Sequence, residues 1–337
     1  ETGENWGGTN TQPPTQIAPA LDGSLFTTAN GYDGPGYGIG TGIYSFGTYG
    51  AWQGLTPFNS GGITQAKINT YTNSIETYMQ ANFPTTERIF YLTDEPPPGS
   101  ANMINAETWA GWVNSNPGIG SNLKTFLTLG LNDWNTYTPS VDIPAFWKEA
   151  ISGTWATYAN TILANSSKKM MMYNGKRPVT GSFATEDDGV SLRVVAYTQF
   201  KKKMDRWFFW ESTYYNDFQA SGTETNVWTT AKTFGSVTSN GIYGEQGFNY
   251  SNGDGVMFYP GTDTRYSSSA PGMSGPAASL RLKLWRRGIQ DGDYLTLANA
   301  INQGAVTSIV NARIPEVAWE VGVTDENDPS YVLKGIS

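Results

Sequence analysis

The chain reads as an α/β protein of the (β/α)8 class, a TIM-like barrel with elaborated loops. Three observations predict it. Short apolar runs alternate with helical segments from residue 63 onward, and the runs are apolar throughout rather than at every second position. Residues 212–260, mostly Gly, Ser, Asn, Thr and aromatics, look like loops elaborated over a site rather than a linker. Strands apolar on both faces demand a parallel sheet covered by helices, and 337 residues suffice for one decorated barrel.

The elements follow in order. Residues 1–62, rich in Gly, Thr, Pro and Tyr, admit at most two short strands, with Ile43-Tyr44-Ser45-Phe46 among the apolar patches. They form a loop-rich N-terminal part of the barrel domain, ahead of a catalytic core at 63–305 and a C-terminal extension at 306–337 that packs on the barrel. Ile68, Tyr71, Ile75 and Tyr78 recur at helical spacing, with Thr64 as a cap and Pro84 as the stop. A strand follows at 88–93. Next come a helix around 103–115 carrying Trp109, Trp112 and Val113, stopped by Pro117, and a strand at 124–130. After "VDIPAF", Trp147, Ile151, Trp155, Tyr158 and Ile162 mark a long helix. "KMMMY" at 169–173 and "DRWFFWE" at 205–211 are strands flanking a helix at about 189–203, and "GVMFYPG" is strand-like. The last helix begins after Pro276 and carries Leu280, Leu284, Ile289 and Leu295; "TDENDPSY" at 324–331 is polar loop.

Composition narrows the chemistry. A net charge of −8 disfavours a phosphate backbone or an anionic lipid surface as partner. The absence of cysteine and histidine removes disulfides, thiolate chemistry, histidine-dependent triads and imidazole-ligated metals. Acid and base catalysis therefore falls to a carboxylate, a tyrosine or a lysine. Twelve Trp and 19 Tyr against only 15% charged residues give the stacking surface of an extracellular carbohydrate-handling protein. Two sequons, Asn165-Ser166-Ser167 and Asn249-Tyr250-Ser251, fit a secreted glycoprotein, and no apolar run approaches membrane-spanning length. No cofactor or metal is expected: "GYDGPGYGIGTG" lacks the dinucleotide register, and "NGDG" and "TDENDP" do not match calcium-hand spacing.

The stretch "RIFYLTDEPPPGS" at 88–100 is the sharpest signal. Asp94 and Glu95 follow an apolar run too hydrophobic for a surface turn, at the strand end where parallel barrels place their chemistry. Pro96, Pro97 and Pro98 then restrict the backbone. Neighbouring carboxylates disfavour each other's ionised forms, which separates a proton-carrying acid from an anion. A glycosidase needs that division, but adjacent residues do not flank a glycosidic bond from both sides. The nucleophile then comes from elsewhere in the chain or from the substrate.

"FYLTDEP" resembles the Asp-Glu-Pro strand end of glycoside hydrolase family 123, the β-N-acetylgalactosaminidases with a barrel catalytic domain, and of related uncharacterised domains sharing its C-terminal pattern. Further motifs keep the family's order: a helix bearing an acidic residue before Arg193, then "RWFFWE", "NGDGVMFYPG" and "SLRLKLWRRGIQDGDYL", together spanning about 87–300. The resemblance implies Glu95 as general acid/base and Asp94 as the residue that orients the substrate's 2-acetamido group, whose carbonyl oxygen attacks the anomeric carbon. It thus implies a retaining, substrate-assisted hydrolase of β-linked N-acetylgalactosamine in an oligo- or polysaccharide. Asp291-Gly292-Asp293-Tyr294 replaces the family's Asp-Tyr-Glu-Tyr, and Thr213 and Tyr215 stand where Asn and Trp are usual.

Glu211, at the end of "RWFFW", offers a second route as nucleophile of an ordinary double displacement. A third reading is a non-catalytic carbohydrate-binding or wall-associated protein on the same barrel. Trp210, Tyr214, Tyr215, Trp134, Tyr137 and Tyr173 fall at strand ends or adjoining loops, where rings stack on sugars; for any single ring, packing is the simpler reading. Tyr259 precedes Pro260-Gly261 as in the family's Tyr-Pro-Gly, and Asp142 in "VDIP" is a candidate supporting group for the substrate site.

Overall fold

The computed structural model describes residues 11–34, 36–47, 62–146, 155–174, 183, 185, 189–209, 211–217, 223–231, 253 and 255–314. The chain divides into two compact units, one comprising residues 1–145 with 158–169 and the other residues 146–157 with 170–337.

The first unit is a run of β/α repeats: β1 (Ile43–Phe46), α1 (Gln65–Asn82), β2 (Glu87–Tyr91), α2 (Ala101–Asn114), β3 (Lys124–Thr128), α3 (Leu131–Tyr137), and all but the ends of β4 (Ile143–Phe146) and α4 (Trp155–Leu163), whose residues 146 and 155–157 count with the second unit. β1 to β4 pair in parallel in chain order, with Ser45 opposite Ile89, Tyr91 opposite Phe126 and Thr128 opposite Ala145. α1 starts where Thr64 accepts the Lys67 N–H and buries Ile68, Tyr71 and Ile75, as their spacing predicts. It covers the sheet face bearing Arg88 and Phe90. Tyr71 packs 5.8 Å from Phe90, and Arg88 Nε and Nη2 donate to Glu76 Oε1 and Oε2 at 2.8 and 2.7 Å. Tyr91 and Phe126 meet edge to face on the opposite side, 4.8 Å apart. The strand at β4 contains Pro144, which donates nothing to the ladder; β4 joins β3 through the Ala145 carbonyl, which accepts the Leu129 N–H.

In the second unit β5 (Met171–Tyr173) pairs in parallel with β6 (Arg206–Phe208). Helix α5 (Ser191–Lys202) joins them. Two short antiparallel pairs follow, β7 (Asn216–Asp217) with β8 (Thr223–Glu224) and β9 (Phe258–Tyr259) with β10 (Ala277–Ala278). Helices α6 (Leu280–Ile301) and α7 (Gln303–Arg313) close the described chain.

Of the eight strands a full barrel needs, the described residues carry six parallel ones, four in the first unit and two in the second. The Gly- and Ser-rich stretch expected to elaborate the barrel forms antiparallel ribbons where it is described. Helix α6 follows its apolar pattern in part: Leu284 and Leu295 pack against buried clusters. Leu280 and Ile289 are exposed, and Arg281, Gly288 and Asp291 are buried. A Cβ at Gly288 would stand 2.8 Å from the Arg193 Cα, so the helices approach at the residue without a side chain. The part of the long helix at 147–154 and the polar loop at 324–331 lie outside the described residues. Among the described residues, no helix is long and apolar enough to cross a membrane.

Candidate active site

Asp94 and Glu95 sit immediately beyond the C-terminal end of β2, beside the end of β3. The ladder continues past the strand, the Leu92 N–H donating to the Phe126 carbonyl at 2.9 Å, and this brings Thr128 alongside the acidic pair. Two hydroxyls converge on one carboxylate oxygen. Tyr91 Oη donates to Asp94 Oδ1 at 2.5 Å, and Thr128 Oγ1 donates to the same oxygen at 2.7 Å. Among the described residues nothing donates to Oδ2. Tyr91 is buried, and Asp94 is half-buried. The carboxylate is thus held through one oxygen by two strands' side chains.

Glu95 is exposed and held by its backbone. Its φ of 38° lies in the left-handed region, sparsely populated for a residue with a Cβ and more so before proline. Thr128 Oγ1 accepts the Glu95 N–H at 2.8 Å, so one hydroxyl positions both acids. Strain of this kind, of order 1–3 kcal/mol, persists where the surroundings over-determine it and is concentrated at functional sites. The proline exit leads straight into α2: the Pro97 carbonyl accepts the Ser100 N–H at 3.0 Å, and Ser100 Oγ caps the helix by accepting from Met103. The exposed Tyr137 ring lies against this loop, about 3.5 Å from where a Cβ on Gly99 would stand.

The other predicted residues fall into distinct settings. Asp142 is buried at the N-terminal end of β4, where its Oδ2 accepts the Thr125 N–H and Oγ1 at 3.0 and 2.9 Å; it joins two strands at the edge away from Asp94. Trp134 is buried, its Nε1 donating to the Val141 carbonyl at 3.2 Å, with the Lys168 ammonium 5.7 Å from its ring centre. Neither is placed to touch a sugar beside Asp94.

In the second unit, Tyr173 ends β5, buried against Phe208 at 5.6 Å. Glu211 folds its carboxylate back on the turn after β6, Oε1 accepting from the Ser212 N–H at 3.0 Å and the Thr213 N–H at 3.2 Å. Tyr214 donates its N–H to the Gly255 carbonyl, and Tyr215 Oη donates to the Phe258 carbonyl at 3.0 Å. Burial pushes the Tyr215 phenol above its ordinary range, with the anions Glu211 and Asp263 adding to the effect. Tyr259 packs on Trp228 at 5.1 Å. Trp210 lies outside the described residues.

Sequence reasoning missed Tyr91 and Thr128. A tyrosine three residues before Asp94 is a usable signal, whereas Thr128 lies on another strand and has none. Among the described residues no cluster of three or more acidic side chains stands ready for a metal ion. A cavity of about 480 Å³, lined in part by Glu87, Lys124, Ile143, Ser166 and Lys169, opens at the N-terminal edge of β2 to β4, the edge opposite the acidic pair.

No protein-family model matches the chain, and no curated protein matches it. Among solved structures it is similar to a xyloglucan-specific β-1,4-glucanase of glycoside hydrolase family 5 from a ruminal metagenomic library, at 9% identity and a TM-score of 0.34, covering 84% of this chain and 88% of that one. A family 5 enzyme from Prevotella bryantii matches at 11% identity and a TM-score of 0.28 over 54% of this chain and 67% of that one. A glucosidase from Croceicoccus marinus matches at 10% and 0.31 over 63% of this chain and 41% of that one. The likeness is distant in each case. The family 123 resemblance rests on the sequence motifs alone.

Proposed function

We propose that the chain is a secreted, retaining glycoside hydrolase acting on 2-acetamido sugars in oligo- or polysaccharides, β-linked N-acetylgalactosamine foremost, by substrate assistance. The observation that carries this reading is the two-hydroxyl grip on Asp94 Oδ1, with no described donor to Oδ2, beside an exposed Glu95. An anchored carboxylate with one open oxygen suits an acetamido N–H, and the hydrogen bond strengthens as the amide gains positive charge. Glu95 as the acid gives its proton to the glycosidic oxygen as the C1–O bond breaks and the acetamido carbonyl oxygen bonds C1. Glu95 as carboxylate then takes a proton from the water that opens the oxazolinium ring, restoring the original configuration. Tyr137, exposed beside Gly99, offers this loop an aromatic face on which a sugar can stack.

The double displacement through Glu211 ranks second: Ser212 and Thr213 take its Oε1, which leaves Oε2 to attack, and a retaining displacement also needs that carboxylate about 5 Å from the acid. Chromogenic β-glycosides with and without the 2-acetamido group separate the readings. Hydrolysis confined to the acetamido sugars, its loss in Glu95→Gln and tight binding of a thiazoline inhibitor are expected. A covalent glycosyl adduct on Glu211 overturns the mechanism. Saccharide binding by the parent chain with no turnover of any glycoside, unaltered in Glu95→Gln, overturns the enzyme.

A further inference from the structure

We propose that Asn165 is an N-glycosylation site whose amide is preorganised for transfer, on the edge of the first unit opposite Asp94 and Glu95. Residues Asn165, Ser166 and Ser167 form the exposed turn that follows α4. The turn is closed by its own chemistry: Asn165 Oδ1 accepts the Ser167 N–H at 3.0 Å and the Ser167 hydroxyl at 2.7 Å. Among the described residues nothing holds the Asn165 Nδ2, so the atom to be modified faces solvent without a competing partner.

The arrangement bears on reactivity as well as access. An amide nitrogen is a poor nucleophile because its lone pair is delocalised onto the carbonyl oxygen. Loss of an Nδ2 proton places negative charge on Oδ1, where both Ser167 donors already point, and preoriented donors stabilise such charge without reorganisation. The donor of the sugar is a lipid-diphosphate-linked oligosaccharide supplied by the secretory pathway. The Nδ2–C1 bond forms as the bond between C1 and the phosphate oxygen breaks, the diphosphate leaves with the electron pair, and the amide proton passes to the transferase base.

Position keeps the glycan clear of the acidic pair. Ser166 and Ser167, next to Asn165, line the cavity of about 480 Å³ at the N-terminal edge of the strands, with Thr85, Thr86, Lys124 and Lys169. A glycan on this turn stands at the other end of β2 from Asp94 and Glu95, so the modification leaves the proposed active site open. The second sequon, at Asn249, lies outside the described residues, and a peptide map separates the two.

The test is expression of the full chain in mammalian secretory cells with a leader supplied, followed by peptide mapping of cell and medium fractions before and after N-glycosidase. The expected result is a glycan on the Asn165 peptide, leaving aspartate at that position on enzymatic release. Asn165→Gln and Ser167→Ala each remove it, and Ser167→Thr, which keeps the hydroxyl and the fold, retains it. An unmodified Asn165 peptide in both fractions overturns the proposal, as does a glycan that survives Ser167→Ala.

Discussion

The Thr128 hydroxyl donates to Asp94 Oδ1 at 2.7 Å and at the same time accepts the Glu95 N–H at 2.8 Å. One oxygen on β3 therefore sets the geometry of both acids that follow β2. Thr128→Val keeps the shape and removes both bonds. Hydrogen bonds to charged groups contribute about 1.5–3 kcal/mol, so kcat/KM on a 2-acetamido glycoside should fall roughly 10- to 100-fold. Tyr91→Phe, which removes the other donor, should fall in the same range, and Thr128→Ser should recover most of the rate.

Glu95 occupies a left-handed backbone position, with φ at 38°. Glycine adopts this region freely, so Glu95→Gly should abolish hydrolysis while matching or exceeding the parent's stability, by up to about 1 kcal/mol. Thermal melts check this directly. A melt well below the parent's would mean that the glutamate side chain stabilises the loop.

Arg88 and Glu76 form a bidentate pair between β2 and α1, and the Glu76 side chain is fully buried. Arg88→Met strands that carboxylate in the core and should destabilise by about 3–5 kcal/mol in urea unfolding. Joining it with Glu76→Leu should restore much of the loss, because the desolvated charge is gone.

Asp142 ties β3 to β4 by accepting from the backbone and hydroxyl of Thr125. Asp142→Ala leaves those buried donors without their acceptor and should lower stability by about 1–3 kcal/mol. Below the melt, KM for the sugar should be unchanged. A raised KM with an unchanged melt would return Asp142 to the substrate site.

Burial pushes the Tyr71 phenol up to about 12 from the ordinary 10.0. As pH rises from the unfolded value towards the folded one, the unfolded chain releases this proton and the fold retains it. The contribution is therefore intact below about pH 10 and declines by roughly 1.4 kcal/mol per pH unit up to the folded pKa. Urea unfolding across this window should show a shallower decline in Tyr71→Phe.

Much of this was legible from neighbours along the chain. The helix at Gln65–Asn82 announces itself through Thr64, Pro84 and the spacing of Ile68, Tyr71 and Ile75, because capping and helical periodicity act over three or four residues. The acidic pair at a strand end and the stiff exit after it were equally readable, since an apolar run and three prolines limit what the backbone between them does.

Other features depend on pairing across the sheet and between helices, where sequence distance gives no guide. The parallel register of β2 on β3 brought Thr128 to Asp94. Packing against α5 turned Gly288 rather than Leu280 or Ile289 inward, and the neighbouring strand made one out of Pro144 and its flanks. Asp142 and Trp134 became structural rather than sugar-facing for the same reason: a polar group carried into a core takes whatever partner the fold brings within reach.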